Sequence, residues 1–131
     1  MQSHNWVGQH IPLHATSNGK VLLSELSDDE LKTAVRALPR VTDRTVTSRA
    51  KLKAELAEVR EIGYALAVDE LEVGLTAAAA PIRNAHGDVI ASMSISGPTF
   101  RLSEDKLETA IPMLVSAATE VSHRLGWGQR A

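Results

Sequence analysis

The chain contains no cysteine. That removes disulfides, thiolate nucleophiles and cysteine-ligated zinc from consideration, and it fits the cytoplasmic location expected here. Aromatic residues are scarce, with two Trp, one Tyr and one Phe in 131 residues, so stacking platforms for nucleic-acid bases are not expected. Nor is there a strongly basic segment. Fourteen Lys and Arg stand against sixteen Asp and Glu, a net charge of −2, and the signs interleave, as in Lys51-Leu52-Lys53-Ala54-Glu55. Binding to duplex DNA needs a clustered positive field, so this chain alone is not expected to bind it. Apolar runs such as Ala77 to Ala80 are far too short to cross a bilayer, and no membrane partner is expected. The first residues lack the basic-then-apolar pattern of a signal peptide.

What is present suits one folded domain. The length is 131 residues and the hydrophobic fraction 44%, enough for a real core. Residues 1 to 14 read as extended chain ending in a turn, because Pro12 lacks an N–H and restricts Ile11. A helix is expected from about Thr16 to Glu25. Ser27-Asp28-Asp29-Glu30 is a capping-box pattern, opening a short helix through Leu31, Val35 and Leu38 that Pro39 stops. A threonine-rich loop covers 40 to 47. Thr47 or Ser48 then caps a third helix whose Leu52, Leu56, Val59 and Ile62 fall at helical spacing, with Gly63 as its stop. Strands are expected at Tyr64–Asp69, Val73–Arg83 and Val89–Ser96, the last two joined by the turn-rich Asn84-Ala85-His86-Gly87-Asp88. A final helix spans Ser103–Leu125, with Leu107, Ile111, Leu114, Ala118, Val121 and Leu125 on one stripe and a kink or break at Pro112. The order predicts an α+β domain with an antiparallel sheet flanked by helices. Three strands are few, so either the sheet is small or part of it lies outside this chain.

Several enzyme-like patterns fail on inspection. His10 and His14 are four apart, but Pro12 lies between them and spoils the helix that would aim both at one metal; His4 as a third ligand does not rescue the site. Asn18-Gly19-Lys20 resembles the end of a phosphate-binding loop, yet its first glycine is missing and Val21 stands where Ser or Thr would hold magnesium. Ser96-Gly97 lacks the preceding glycine of a nucleophile elbow. No metal, no cofactor and no enzymatic activity are expected.

Two stretches could bind a small molecule. Ala15 to Gly19 are small residues at a helix start, where backbone N–H groups favour an anion; they could equally form an ordinary polar cap. Ser92, Ser94 and Ser96 share one face of a strand opposite Val89, Ala91, Met93 and Ile95. That serine face is either solvated or the polar wall of a pocket. Leu75 and Ala77 share a face of the neighbouring strand, as apolar wall or plain core. Glu70 is read as structural, tying a loop or helix end, because a buried carboxylate must be paired or hydrogen-bonded.

Taken in order, several segments resemble the effector-sensing domain of IclR-type transcriptional regulators. Pro12-Leu13-His14-Ala15 with Gly19-Lys20 is similar to that family's P-L-H-A-x-x-x-G-K segment. Thr42 to Thr47 resembles its threonine-rich loop. Gly63-Tyr64-Ala65 with Glu70 and Gly74-Leu75 resembles its GYA…E…G segment. Ala79-Ala80-Pro81-Ile82, Ser94-Ile95-Ser96-Gly97-Pro98 and Leu125-Gly126 resemble its A-A-P-V strand, S-x-S-G-P strand end and closing helix. The resemblance runs over nearly the whole chain and implies a GAF-like or profilin-like α/β sensor domain. It implies a small organic or aromatic acid as effector, assembly into dimers or tetramers, and DNA contact only through a winged helix-turn-helix domain. That domain, and the opening part of the sensor domain before the glycine corresponding to Gly8, are expected to be absent from these 131 residues. The resemblance places Ser17, Asn18, Gly19, Leu75, Ala77, Ser94 and Ser96 at the ligand, and Ala67 near a position where some relatives carry an acidic residue. The rival expectation is a stand-alone interaction module that dimerises with a full-length regulator.

Overall fold

The computed structural model describes residues 11–128. The reading of residues 1–10, including His4, Gly8 and His10, lies outside the described residues. The elements run in the order α1 (Ser17–Leu23), α2 (Asp28–Ala34), α3 (Arg49–Ile62), β1 (Ala65–Val68), β2 (Leu75–Arg83), β3 (Val89–Pro98) and α4 (Glu104–Arg124), with a 3-10 turn, Leu13–Ala15, before α1. The three strands form one antiparallel sheet in the order β1-β2-β3. This is the expected α+β arrangement.

The helix signals act as their chemistry dictates. Ser27 and Glu30 close the capping box at the head of α2: the Ser27 hydroxyl accepts from Glu30 N, and the Glu30 carboxylate accepts from Ser27 N. Ser48 caps α3, and Gly63 ends it at φ +86, a conformation that a side chain would strain. Asn84 folds the hairpin between β2 and β3, its side-chain oxygen accepting from His86 N and Asp88 N while Gly87 takes φ +85.

Several boundaries differ from the sequence expectation. Helix α1 stops at Leu23 and α2 at Ala34. Leu38 instead packs against the cluster of Leu23, Leu31, Val35, Val46, Leu52 and Leu56 from the connecting chain. Strand β2 begins only at Leu75, because 69–74 is a turn with Asp69 and Gly74 both at positive φ and the Asp69 side chain accepting from Gly74 N. Helix α4 continues unbroken through Pro112. Its packing on the sheet outweighs the one hydrogen bond that proline removes. Ile62 and Leu125, placed on apolar stripes by spacing, are exposed near their helix ends.

The four consecutive alanines explain the thickness of the domain. Ala78 and Ala80 face α4 and meet Leu107, Leu114 and Ala118. Ala79 faces the other way, against Val21 and Val59. All three alanines are fully buried. Bulkier β-formers would push the helices away from the central strand, so small size prevails over β-propensity here. The two sheet faces then divide. One carries α4; the other, formed by Ala65, Ala67, Leu75, Ala77, Ala79, Ser92, Ser94 and Ser96 according to the register, lies under α1.

Leu114 is 5% exposed at the centre of the α4 cluster. Leu114→Ala is expected to destabilise the fold by about 2–5 kcal/mol, read from the midpoint of urea unfolding. A change below 1 kcal/mol, roughly the scale of a surface substitution, would mean that α4 does not clamp the sheet as described.

Candidate effector site

The α1 side of the sheet is not fully covered. Between the head of α1, the ends of β2 and β3 and the 69–74 turn lies a cavity of about 330 Å³, at the lower end of the range for small-molecule sites. All seven residues singled out from the sequence line it: Ser17, Asn18, Gly19, Leu75, Ala77, Ser94 and Ser96. Spacing did not point to Ile11, Leu13, Leu22 or Leu71, which complete the wall together with Ala67. Ile11, Leu13 and Leu22 are among the exposed large apolar side chains. Part of that exposed surface lines the cavity, a signal that only the folded chain reveals.

The head of α1 is built around Gly19. A Cβ there would stand 2.1 Å from the Leu13 carbonyl oxygen and 2.6 Å from Thr16 Oγ1, so only glycine lets the 3-10 turn fold back onto the helix. Thr16 caps the helix, its hydroxyl accepting from Gly19 N at 3.0 Å. The Thr16 hydroxyl accepts in this cap, and Thr16 also lines the cavity. Lys20 N is taken by Thr16 O. The first-turn N–H groups of Ser17 and Asn18 are left without partners inside the helix.

Hydrogen bonds across the mouth have a defined direction. Ser92 Oγ donates to Asn18 Oδ1 at 2.6 Å, and Asn18 Nδ2 donates to Ser94 Oγ at 3.1 Å. Ser94 accepts in this chain, so its own proton remains available to a ligand acceptor. The polar end of the cavity therefore offers donors, while Leu13, Leu22, Leu71 and Leu75 offer apolar surface. An acid with an apolar body matches that division. His14, by contrast, packs at 2% exposure with Nε2 2.9 Å from Pro39 O. Among the described residues no group of three His, Asp or Glu is placed to hold a metal ion, and no helix is long and apolar enough to cross a membrane.

Behind the cavity lies an ion cluster that the sequence reading missed. Lys20, 2% exposed, donates from Nζ to both Glu70 carboxylate oxygens at 2.7 and 2.9 Å and to Leu66 O at 3.1 Å. Those bonds use all three ammonium protons. Glu55 Oε2, 2.9 Å away, is held by charge attraction. The structural reading of Glu70 agrees with this pairing. Burial pushes the Glu70 carboxyl above its ordinary value, against the Lys20 attraction that lowers it. The backbone on either side of Glu70 is held as well. Thr45 Oγ1 donates to Glu70 O at 2.7 Å, and Thr42 Oγ1 donates to Asp69 O. In the sequence Lys20 stands out only as the cation of a Gly-Lys motif ahead of the apolar Val21-Leu22-Leu23. Its partners lie 35 and 50 residues away, beyond any local pattern.

Lys20→Met is expected to destabilise the domain by about 3–5 kcal/mol, because it strands a buried carboxylate. The sign of the pH effect follows from Glu70. Its pKa is raised in the folded state, so its contribution is fully present below its ordinary value of 4.5 and is lost as pH rises through the folded value. The stability difference between the wild type and Glu70→Gln should therefore shift toward the variant as pH rises from about 4.5, then level off. Paired thermal melts between pH 4 and 8 read this directly; a shift in the opposite sense would show that Lys20 outweighs burial.

Comparison with known proteins places the geometry in a family. Residues 1–123 match the model described as bacterial transcriptional regulator IclR C-terminal. The HTH-type transcriptional regulator KdgR of Escherichia coli is 39% identical over 129 residues, 97% of this chain and 49% of that protein. The HTH-type transcriptional regulator BhcR of Paracoccus denitrificans is 38% identical over 117 residues, 88% of this chain and 42% of that protein. This chain thus spans about half the length of the curated relatives it matches. Among solved structures, the C-terminal domain of E. coli KdgR superposes with a TM-score of 0.81 at 42% identity, covering 88% of this chain and 72% of that one. The inducer-binding domain of a PobR double mutant from Acinetobacter, in complex with 3-hydroxybenzoic acid, superposes with a TM-score of 0.82 at 35% identity, covering 88% and 67%. These relatives are transcriptional regulators and not enzymes.

Proposed function

The chain belongs to the IclR family as its C-terminal domain, and from that premise we propose that it senses a small organic or aromatic acid on behalf of a transcriptional regulator. The observation that carries this reading is the cavity, with apolar walls and a donor-bearing polar end. A carboxylate would sit against the Ser17 and Asn18 N–H groups and accept from Ser94 and Ser96. The apolar body would rest on Leu75, Ala77 and Leu71. The ligand in the complex of the PobR inducer-binding domain is an aromatic acid, which supports the class of ligand. In this reading DNA contact is made by a separate winged helix-turn-helix domain in the cytoplasm, and the acid alters how that domain is presented.

Isothermal titration against acetate, succinate, benzoate and 3-hydroxybenzoate tests the proposal. At least one aromatic member should bind. A charge-assisted hydrogen bond contributes roughly 1.5–3 kcal/mol, so Ser94→Ala and Ser96→Ala should each weaken binding by about tenfold or more. The melting temperature should barely change, because both serines are exposed. Equal binding by the serine variants would remove the serines from the site, and no binding by any acid would remove the function.

Self-association into a dimer or tetramer belongs to the same proposal. Phe100, Met113, Val73 and Ile90 are all more than half exposed, and apolar side chains open to solvent favour pairing with a second copy. Light scattering at tens of micromolar, roughly where weak oligomers form, should return a mass above 14.1 kDa. A monomer with a cooperative melt would refute it.

A further inference from the structure

Lys20 does not line the cavity, yet it and the two residues that accept its hydrogen bonds are each adjacent in sequence to one that does. Gly19 precedes Lys20, Ala67 follows Leu66, and Leu71 follows Glu70; Gly19, Ala67 and Leu71 all line the cavity. One ammonium therefore joins the head of α1, strand β1 and the 69–74 turn immediately behind three points of the wall. We propose that Lys20 is the positioning residue of the effector cavity, fixing the spacing of these elements and with it the size of the acid admitted. The inference rests on the reading of the cavity as an effector site.

The geometry separates this role from holding the fold together. The turn has several ties: its Glu70 side chain to Lys20, its Asp69 and Glu70 carbonyls to Thr42 and Thr45, and its Asp69 side chain and Gly74 carbonyl to Thr99. Without Lys20 the threonines still anchor the turn to the 40–47 loop. The cavity side is what comes free, and Leu71 with it. Glu55 is about one third exposed and can turn to water when the ammonium is gone. An apolar pair of similar volume in place of Lys20 and Glu70 therefore keeps the packing and loses the directed bonds.

The test uses Lys20→Met/Glu70→Met, with Leu71→Ala as a second variant that widens the wall without touching the cluster. The double variant should melt near the wild type. Amide hydrogen exchange should accelerate by about tenfold or more at Gly19, Ala67 and Leu71, while Leu114 and Ala118 in α4 stay protected. Xenon, which enters apolar cavities, should occupy the altered site differently by xenon NMR. The ratio of dissociation constants for benzoate and naphthoate should move toward naphthoate by about tenfold in both variants; a purely structural role lowers both affinities together and leaves the ratio alone. Unchanged exchange and xenon occupancy in the double variant, or an unchanged ratio, overturn the proposal. If neither acid binds the wild type, the effector reading falls, and exchange and xenon alone decide the positioning role. If the double variant does not fold, Leu71→Ala decides: an unchanged ratio shows that the wall Lys20 holds does not set ligand size, and overturns it.

Discussion

A buried ammonium imposes conditions on everything around it. Removing Lys20 from water costs several kcal/mol unless charge and hydrogen bonds replace the lost hydration. Here Glu70 supplies two bonds, Leu66 O the third and Glu55 a second negative charge. These groups come from α3, β1 and the 69–74 turn, so α1 can dock only when all of them are in place. An apolar contact would tolerate sliding; an ammonium with three directed bonds does not. The cluster thus converts a generic helix-on-sheet packing into one register.

Small side chains make that register possible. The alanines of β2 bring α4 close on one face and α1 on the other. On the α1 face they continue into the serines of β3, paired as Ala77 with Ser96 and Ala79 with Ser94. The cavity lies where this run of small residues extends past the end of α1, and its depth comes from side chains that are absent. Larger residues at Ala67, Leu75 and Ala77 would fill it and leave α1 with nothing to cover.

Much of this was legible from residue types. Capping boxes, the Gly63 stop, the Asn84 turn and the alternation in β3 are local rules, and the chain obeys them. The seven proposed ligand residues were found because small polar residues at a helix start and at period two on a strand are visible locally, and the family pattern tied the two together. The misses share one cause, which is tertiary context. Packing carried α4 through Pro112. The Asp69–Gly74 turn delayed β2. Leu22 and Leu71 were not singled out because no local rule says that a helix and a turn will stop short of closing. Lys20 was noticed only as part of a motif, and its ion cluster was missed because its partners are carboxylates far along the chain.

The division of labour between the two sheet faces bears on how such a domain can change over evolutionary time. The α4 face is densely packed, and a substitution there is felt throughout the core. The residues of the cavity face point into unfilled space, and Leu75, Ala77, Ser94 and Ser96 carry little of the folding burden. Gly19 and Lys20 are confined by geometry, whereas their neighbours across the cavity are free to drift. One scaffold can therefore be re-tuned to new metabolites by exchanging a handful of side chains, without first acquiring stability to spend.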